Sequence, residues 1–313
     1  EHGWEGERRS LINERRSEQL ASIIEVKEQN PLTITSGVID KDFEKWFSRQ
    51  VEQEGERLKN LMIKLWMGII WKKNHRVLVL TPSSLLWALK PLREVSEGGI
   101  FLAASTDSHS RLLDELKVLA PMQQPVLIDS KVESIKTLKN TLKFEVIGGR
   151  IPWKFLSEEN FLELWPSLTE KCTTNAELRL IISSPCSGPA LSLKESLEVC
   201  SNNENTDFLF LNSLISKENR WLNNQHQKQK FVLQLEELGW NISLEEWIDF
   251  VYLKVDSSII KRWLNQGSEY REIILKNCEE ETLTRLKELF KRLSGRTIKQ
   301  KLKHTKLFAI NNN

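Results

Sequence analysis

From residue 75 onward, short apolar runs alternate with stretches of helical periodicity, and this rhythm constrains the fold more than any other feature of the chain. Arg76–Leu80 is a β-branched strand, and Thr81-Pro82-Ser83-Ser84 is turn chemistry. Pro82–Lys90 reads as a helix, with Leu85, Leu86 and Leu89 at helical spacing until Pro91 stops the segment. Strands are expected at Ile100–Ala104, Val126–Ile128, Phe144–Ile147 and Leu178–Ile182. Between them lie helices at Ser108–Leu119 and Ser134–Asn140, and a third that Ser157 would N-cap. Strands and helices in this alternation predict a mostly parallel sheet covered on both faces.

The later chain is less regular. Pro185–Asp207 reads as a polar loop or lid with one short helix, and Trp221–Leu238 as a helix closed by Gly239. Trp240–Asp256 is open to two readings. Ser243 and Glu246 fit a capping box, but Trp247–Val255 is rich in β-formers, so the strand is preferred. Ser258–Leu264 and Glu279–Leu293 read as helices. Thr297–Ile310 reads as a final strand, with Ile298, Leu302, Phe308 and Ile310 on one face and Lys299, Lys301 and Lys303 on the other. Ahead of the alternation, Glu7–Gln19 is a solvated Glu/Arg helix continuing to about Glu28, and Asp40–Ile70 is a second helical region. The expected division is a helical extension or connector at 1–74 and an α/β domain at 75–313.

Composition removes several function classes. Hydrophobic content of 40% and charged content of 28% suit a globular chain, and a formal net charge of +2 makes no global case for nucleic acid or membrane. No apolar run is long enough to span a bilayer. The four cysteines Cys172, Cys186, Cys200 and Cys278 form no CxxC pair, which argues against structural zinc and for a reduced, cytoplasmic chain. His75, His109, His226 and His304 have no carboxylate or cysteine at useful spacing, so no metal or acid–base role is assigned to them. Most of the eleven tryptophans, Trp66, Trp87, Trp165 and Trp247 among them, sit among apolar neighbours and are read as core. The chain opens on Glu1 rather than Met, which suggests a trimmed start or a piece of a longer polypeptide.

A strand turning sharply into a helix is where α/β folds hold phosphates and nucleotide cofactors, normally through glycines that let the backbone approach the ligand. The turn at Thr81–Ser84 contains none.

The runs RVLVLTPSSLLWAL, GGIFLAASTDSHSRLLDEL, QPVLIDS, KFEVIGGRIPW and ELRLIISS together resemble the class I S-adenosylmethionine (SAM) methyltransferase fold over roughly residues 75–310. That resemblance implies a Rossmann-like, seven-stranded, mostly parallel sheet with its last strand antiparallel. EHGWEGERRSLINERRSEQLA and the closing RLSGRTIKQKLKHTKLFAI resemble the C-terminal part of fusions in photosynthetic bacteria. There a RarA-type replication and recombination AAA+ ATPase precedes a methyltransferase-like domain. The resemblance implies an AAA+ ATPase domain of the same polypeptide as partner, and no Walker A loop occurs in this chain.

Carried over position by position, the family's cofactor slots fall on Thr81, Ser83 and Ser84 after the first strand. At the end of the second strand they fall on Ala104-Ser105, with Asp107 the nearest acid. Asp129 matches the acid at the end of the third. The slot after the fourth strand holds Gly148-Gly149-Arg150-Ile151-Pro152-Trp153. One slot in three keeps its residue type, so the expected function is a degenerate methyltransferase-like domain of the ATPase fusion, acting as an interaction or nucleic-acid module with no SAM bound. The alternative is an active methyltransferase using a divergent site.

The closing basic run, with Lys299, Lys301 and Lys303, has two readings: tracking a DNA backbone, or lysines on an edge strand that block unwanted pairing. The second is favoured.

Overall fold

The computed structural model describes residues 57–80, 84–117, 119–198, 205–223, 225–276, 278 and 280–313. The expected helix at Glu7–Gln19, most of Asp40–Ile70 and the turn residues Thr81, Pro82 and Ser83 lie outside the described residues. The described part of the second helical region is a helix over 57–66, α1, which buries Leu58, Leu61, Leu65 and Trp66 at three- and four-residue spacing.

Seven strands form one sheet in the order β3-β2-β1-β4-β5-β7-β6. They are β1 (Arg76–Leu80), β2 (Gly99–Ala104), β3 (Val126–Asp129), β4 (Phe144–Pro152), β5 (Cys172–Pro185), β6 (Trp240–Lys254) and β7 (Thr297–Asn311). The first four pair in parallel, with Leu78 beside both Phe101 and Ile147. β1 is buried from Val77 to Leu80, as expected of a central parallel strand covered on both faces.

β7 runs the other way. Its bonds to β5 step oppositely along the two strands: Ser183 to His304, then the Cys186 amide to the Lys301 carbonyl. Its contacts with β6 do the same, from Glu246–Lys303 to Phe250–Lys299. A sheet in this order with a reversed seventh strand is the Rossmann-like, methyltransferase-type architecture expected from the sequence. Trp240–Lys254 is indeed a strand.

The chain divides into two compact units, with boundaries inside β5, β6, β7 and the helix Gln225–Glu237. In the first, residues up to Ile182 with Lys230–Glu245 and Lys306–Asn313, one core gathers Leu78, Leu80, Phe101 and Ile147 of the sheet. Against them pack Leu164 and Trp165 of α5 (Glu159–Glu170) and Phe231 and Leu235 of α8 (Gln225–Glu237). The second unit, Ser183–Gln229 with Glu246–Thr305, is mainly helical. Its core joins α6 (Pro189–Glu198), α7 (Asn205–Leu222), α9 (Ser257–Leu264), α10 (Glu269–Ile274) and α11 (Glu280–Arg292) around Leu211, Trp263, Tyr270 and Phe290.

Several local expectations are corrected. Ser157 ends a 3-10 turn and donates its hydroxyl to the Lys154 carbonyl, so it does not cap α5. The helix expected at Ser108–Leu119 is α3 (Thr106–Leu116), and the one expected at Ser134–Asn140 is α4 (Val132–Lys136). The short helix expected inside Pro185–Asp207 is α6, but the excursion also contains the start of α7, most of which lies between it and Trp221, and α8 begins only at Gln225. β4 continues to Pro152, so Gly148 and Gly149 lie inside the strand rather than in the slot after it. β7 lies between β5 and β6, which removes the edge-strand reading of its lysines.

Candidate functional site

Strand order reverses between β1 and β4, the topological switch point where open α/β sheets place ligands at the carboxyl ends of their strands. Register brings the sequence candidates to that edge: Leu80 sits beside Ala103 and Gly149, and Ala104 beside Asp129. The described groups there are already engaged with one another.

After β1, Ser84 begins a 3-10 turn, Leu85–Ala88, that leads into α2 (Leu89–Glu94). The Ser84 hydroxyl accepts from the Leu86 amide at 3.3 Å and donates to the Glu115 carboxylate at 3.0 Å. The Leu85 amide donates to the same Glu115 oxygen at 2.6 Å. Glu115 comes from α3, where Arg111 holds its other oxygen at 3.1 Å. The first free amides of a helix are where this architecture offers itself to an anion, and here an internal carboxylate takes the Leu85 amide and Ser84 takes the next two.

The end of β2 is closed in a similar way. The Ala104 carbonyl accepts from the Ser130 amide and lies 3.1 Å from Nε2 of His109. Ser105 pairs with the Ser108 hydroxyl at 3.2 Å, and Asp107 is an exposed acid in the first turn of α3. Asp129 is buried at the end of β3. It accepts from the Thr106 hydroxyl at 3.1 Å and the Lys131 amide at 3.2 Å, and Lys131 Nζ also lies 3.2 Å away. Those bonds hold the third-strand acid as a tie between β3 and α3.

The glycines of β4 are packing devices. A Cβ on Gly148 would overlap the Trp66 ring, and one on Gly149 would stand 2.5 Å from the Leu80 carbonyl oxygen. Trp66 donates its indole N–H to the Trp87 carbonyl at 2.9 Å, and the Arg150 guanidinium lies 5.7 Å from the Trp87 ring centre. Trp66 therefore fills the ground that the missing side chain at 148 vacates.

The three lysines of β7 do not stand clear as a stripe. Lys301 pairs with Glu195, Lys303 pairs with Glu246 at 2.7 Å, and Lys299 lies over the Phe250 ring at 3.7 Å. Sequence reading missed the acids because Glu195 and Glu246 belong to other elements. It missed His304 for the same reason. The ring is fully buried between Ser183, 2.9 Å from Nδ1, and Asp249, 3.8 Å from Nε2, with Trp247 against it. These partners come from the two strands that flank β7, so linear spacing held no signal of them. Among the described residues no cluster of His, Cys, Asp and Glu could hold a metal ion, and no helix is long and apolar enough to cross a membrane.

No protein-family model matches the chain, and no curated protein matches it. Solved structures similar to it include the YcgJ protein from Bacillus subtilis, 14% identical over 83% of this chain and 100% of that one, with a TM-score of 0.45. The precorrin-6y C5,15-methyltransferase from Geobacter metallireducens GS-15 is 11% identical over 80% and 87%, with a TM-score of 0.38. The plantazolicin methyltransferase BamL, solved with a substrate analogue and S-adenosylhomocysteine, is 12% identical over 97% and 99%, with a TM-score of 0.41. Methyltransferases recur among these neighbours.

Proposed function

We propose that this chain uses a methyltransferase-like scaffold as a protein-interaction module and holds no SAM as a resident cofactor. One observation carries the reading: the Glu115 carboxylate already occupies the Leu85 amide and Ser84 hydroxyl at the carboxyl end of β1. Placing the negatively charged carboxylate of SAM beside it would set like charges together. The remaining slots support the same reading. The second strand ends in Ala104-Ser105 without an acid for ribose hydroxyls, and Asp129 is engaged by Thr106 and Lys131. These residues do not fit the cofactor, so no methyl-transfer step is derived.

Calorimetric titration of the full chain with SAM and with S-adenosylhomocysteine tests this. No saturable heat is expected, whereas micromolar binding of either would overturn the proposal. Such binding would favour the divergent-methyltransferase reading, which has in its support an acid, Asp129, at the end of the third strand.

For the partner, the resemblance supports an AAA+ ATPase domain of the same polypeptide. A protein is preferred to DNA because Lys301 and Lys303 are paired with Glu195 and Glu246. Salt-sensitive DNA binding that Lys299→Glu, Lys301→Glu and Lys303→Glu abolish would reverse that preference.

A further inference from the structure

Among the described residues, buried charged side chains have polar partners, with one exception. Arg179 holds Glu177 at 2.6 Å, Lys171 donates to the Leu138 carbonyl and to Asn140, and Asp207 lies between Arg285 and Arg292. Lys306 of β7 is only 8% exposed, yet no hydrogen bond or ion pair among the described residues reaches its ammonium. An unpaired buried ammonium is costly, and such a group calls for an explanation, a bound ion among them.

The ground around Lys306 is cationic. The Ser183–His304 and Cys186–Lys301 contacts set the register of β5 against β7, which places Ile181 opposite Lys306 and Arg179 opposite Phe308. The Arg179 guanidinium accordingly lies 4.1 Å from the Phe308 ring centre. Opposed residues share a face, so Lys306 and Arg179 are diagonal neighbours about 7–8 Å apart on one face of the sheet. Arg179 gives two N–H groups to Glu177 and one to the Met67 carbonyl, which leaves one N–H on each terminal nitrogen. A Cβ on Gly68 would meet only those two nitrogens among the described residues, at 3.8 and 3.9 Å, so open ground borders them. Lys64 stands one turn before Gly68. Burial, then the charge of Arg179, hold Lys306 below the ordinary lysine value, with Lys64 adding to them and the exposed Glu245 opposing. All of these residues belong to the first compact unit.

We infer that Lys306 and Arg179 form a binding site for a phosphate group, with Lys64 adding positive charge at its edge. The phosphate oxygens accept from the Lys306 ammonium and from the remaining N–H groups of Arg179, and charge-assisted bonds of this kind are the strong ones. The bound anion supplies the partner that the ammonium lacks. The inference uses none of the groups assigned to the cofactor edge and holds whether or not SAM binds.

Calorimetric titration of the full chain with inorganic phosphate, at constant ionic strength, is expected to show saturable binding that Lys306→Met weakens about tenfold or more. Glycerol 3-phosphate separates the two sources of such a group: tighter binding than inorganic phosphate assigns a monoester, equal or weaker binding the free anion. Urea unfolding guards against a variant that merely misfolds. Without phosphate, Lys306→Met is expected to match or exceed the parent's midpoint, because it removes an unpaired buried charge. Added phosphate should raise the midpoint of the parent and leave that of the variant unchanged. Absence of saturable binding by the parent overturns the inference, as does equal binding by Lys306→Met. An equal gain in midpoint from sodium chloride at matched ionic strength overturns it too. So does a phosphate-free variant midpoint below the parent's, since the ammonium would then have a structural partner.

Discussion

Two helix starts in this protein are capped by a carboxylate from another helix, one in each compact unit. In the first unit Glu115 of α3 takes the Leu85 amide at the start of the turn after β1. In the second, Glu218 of α7 takes the Ala190 amide at 2.6 Å and the Leu191 amide at 3.2 Å at the start of α6. Glu218 is fully buried and also accepts from the Tyr270 hydroxyl at 2.7 Å, and a Cβ on Gly188 would overlap its carboxylate. Glu218 is enclosed by protein groups of α6 and α10, so its carboxylate serves those groups alone. The chain thus uses an internal acid as a structural cap where no ligand is at issue, and Glu115 does the same where the architecture would otherwise offer an anion site. The comparison favours a structural role for both.

The first way to break it is Glu218→Ala. This leaves a buried amide, a half-buried one and a buried hydroxyl without their acceptor, and we expect a loss of about 3 kcal/mol in urea unfolding. A loss below about 1 kcal/mol would mean the cap is replaceable and the likeness to Glu115 superficial.

Gly148→Ala tests the other filler of the cofactor edge. The added methyl group must displace Trp66, at an expected cost of about 2 kcal/mol, and Trp66→Leu in the same chain should recover part of it. If Gly148→Ala is as stable as the parent, the ring is not held where the structure places it.

Glu115→Ala should cost less, about 1 kcal/mol, because its site is only partly buried and water can reach the freed amide. A SAM titration of this variant sharpens the comparison. If the variant still binds no SAM, the cap is one obstacle among several. Micromolar binding would mean that Glu115 alone blocks the slot.

The smallest effect is one of sign with pH. Burial pushes the Glu218 carboxyl above its ordinary range, against the hydrogen bonds from Tyr270, Ala190 and Leu191. Its contribution to stability is therefore full below the unfolded value and fades as pH rises through the folded one. Asp207 is the opposite case. Burial would raise it too, but Arg292 at 2.5 Å and Arg285 at 3.1 Å prevail and lower it. Its contribution is present above the ordinary aspartate value and is lost as pH falls through the lowered one. Urea midpoints of Glu218→Gln and Asp207→Asn against the parent, from acid to neutral pH, should therefore diverge in opposite directions. Parallel curves would refute the contrast.

Much of the fold was legible from sequence because its signals are local. The run Arg76–Leu80 needs both faces covered whatever follows it, and β-formers in Trp247–Val255 outweighed a capping-box match. The α6–α7 region was not legible. Its buried polar groups, Asp207 and Glu218, look like loop residues until Arg285, Arg292 and Tyr270 arrive from far along the chain.

The cofactor edge divides along the same line. That the turn after β1 lacks glycine and that β2 ends without an acid are facts of sequence, set by which side chains are present. Only the tertiary structure decided what stands in their place: Glu115 on the Leu85 amide, Thr106 on Asp129, and Trp66 over Gly148. A buried donor or acceptor must find a partner, and which distant group supplies it depends on packing that no stretch of sequence specifies by itself.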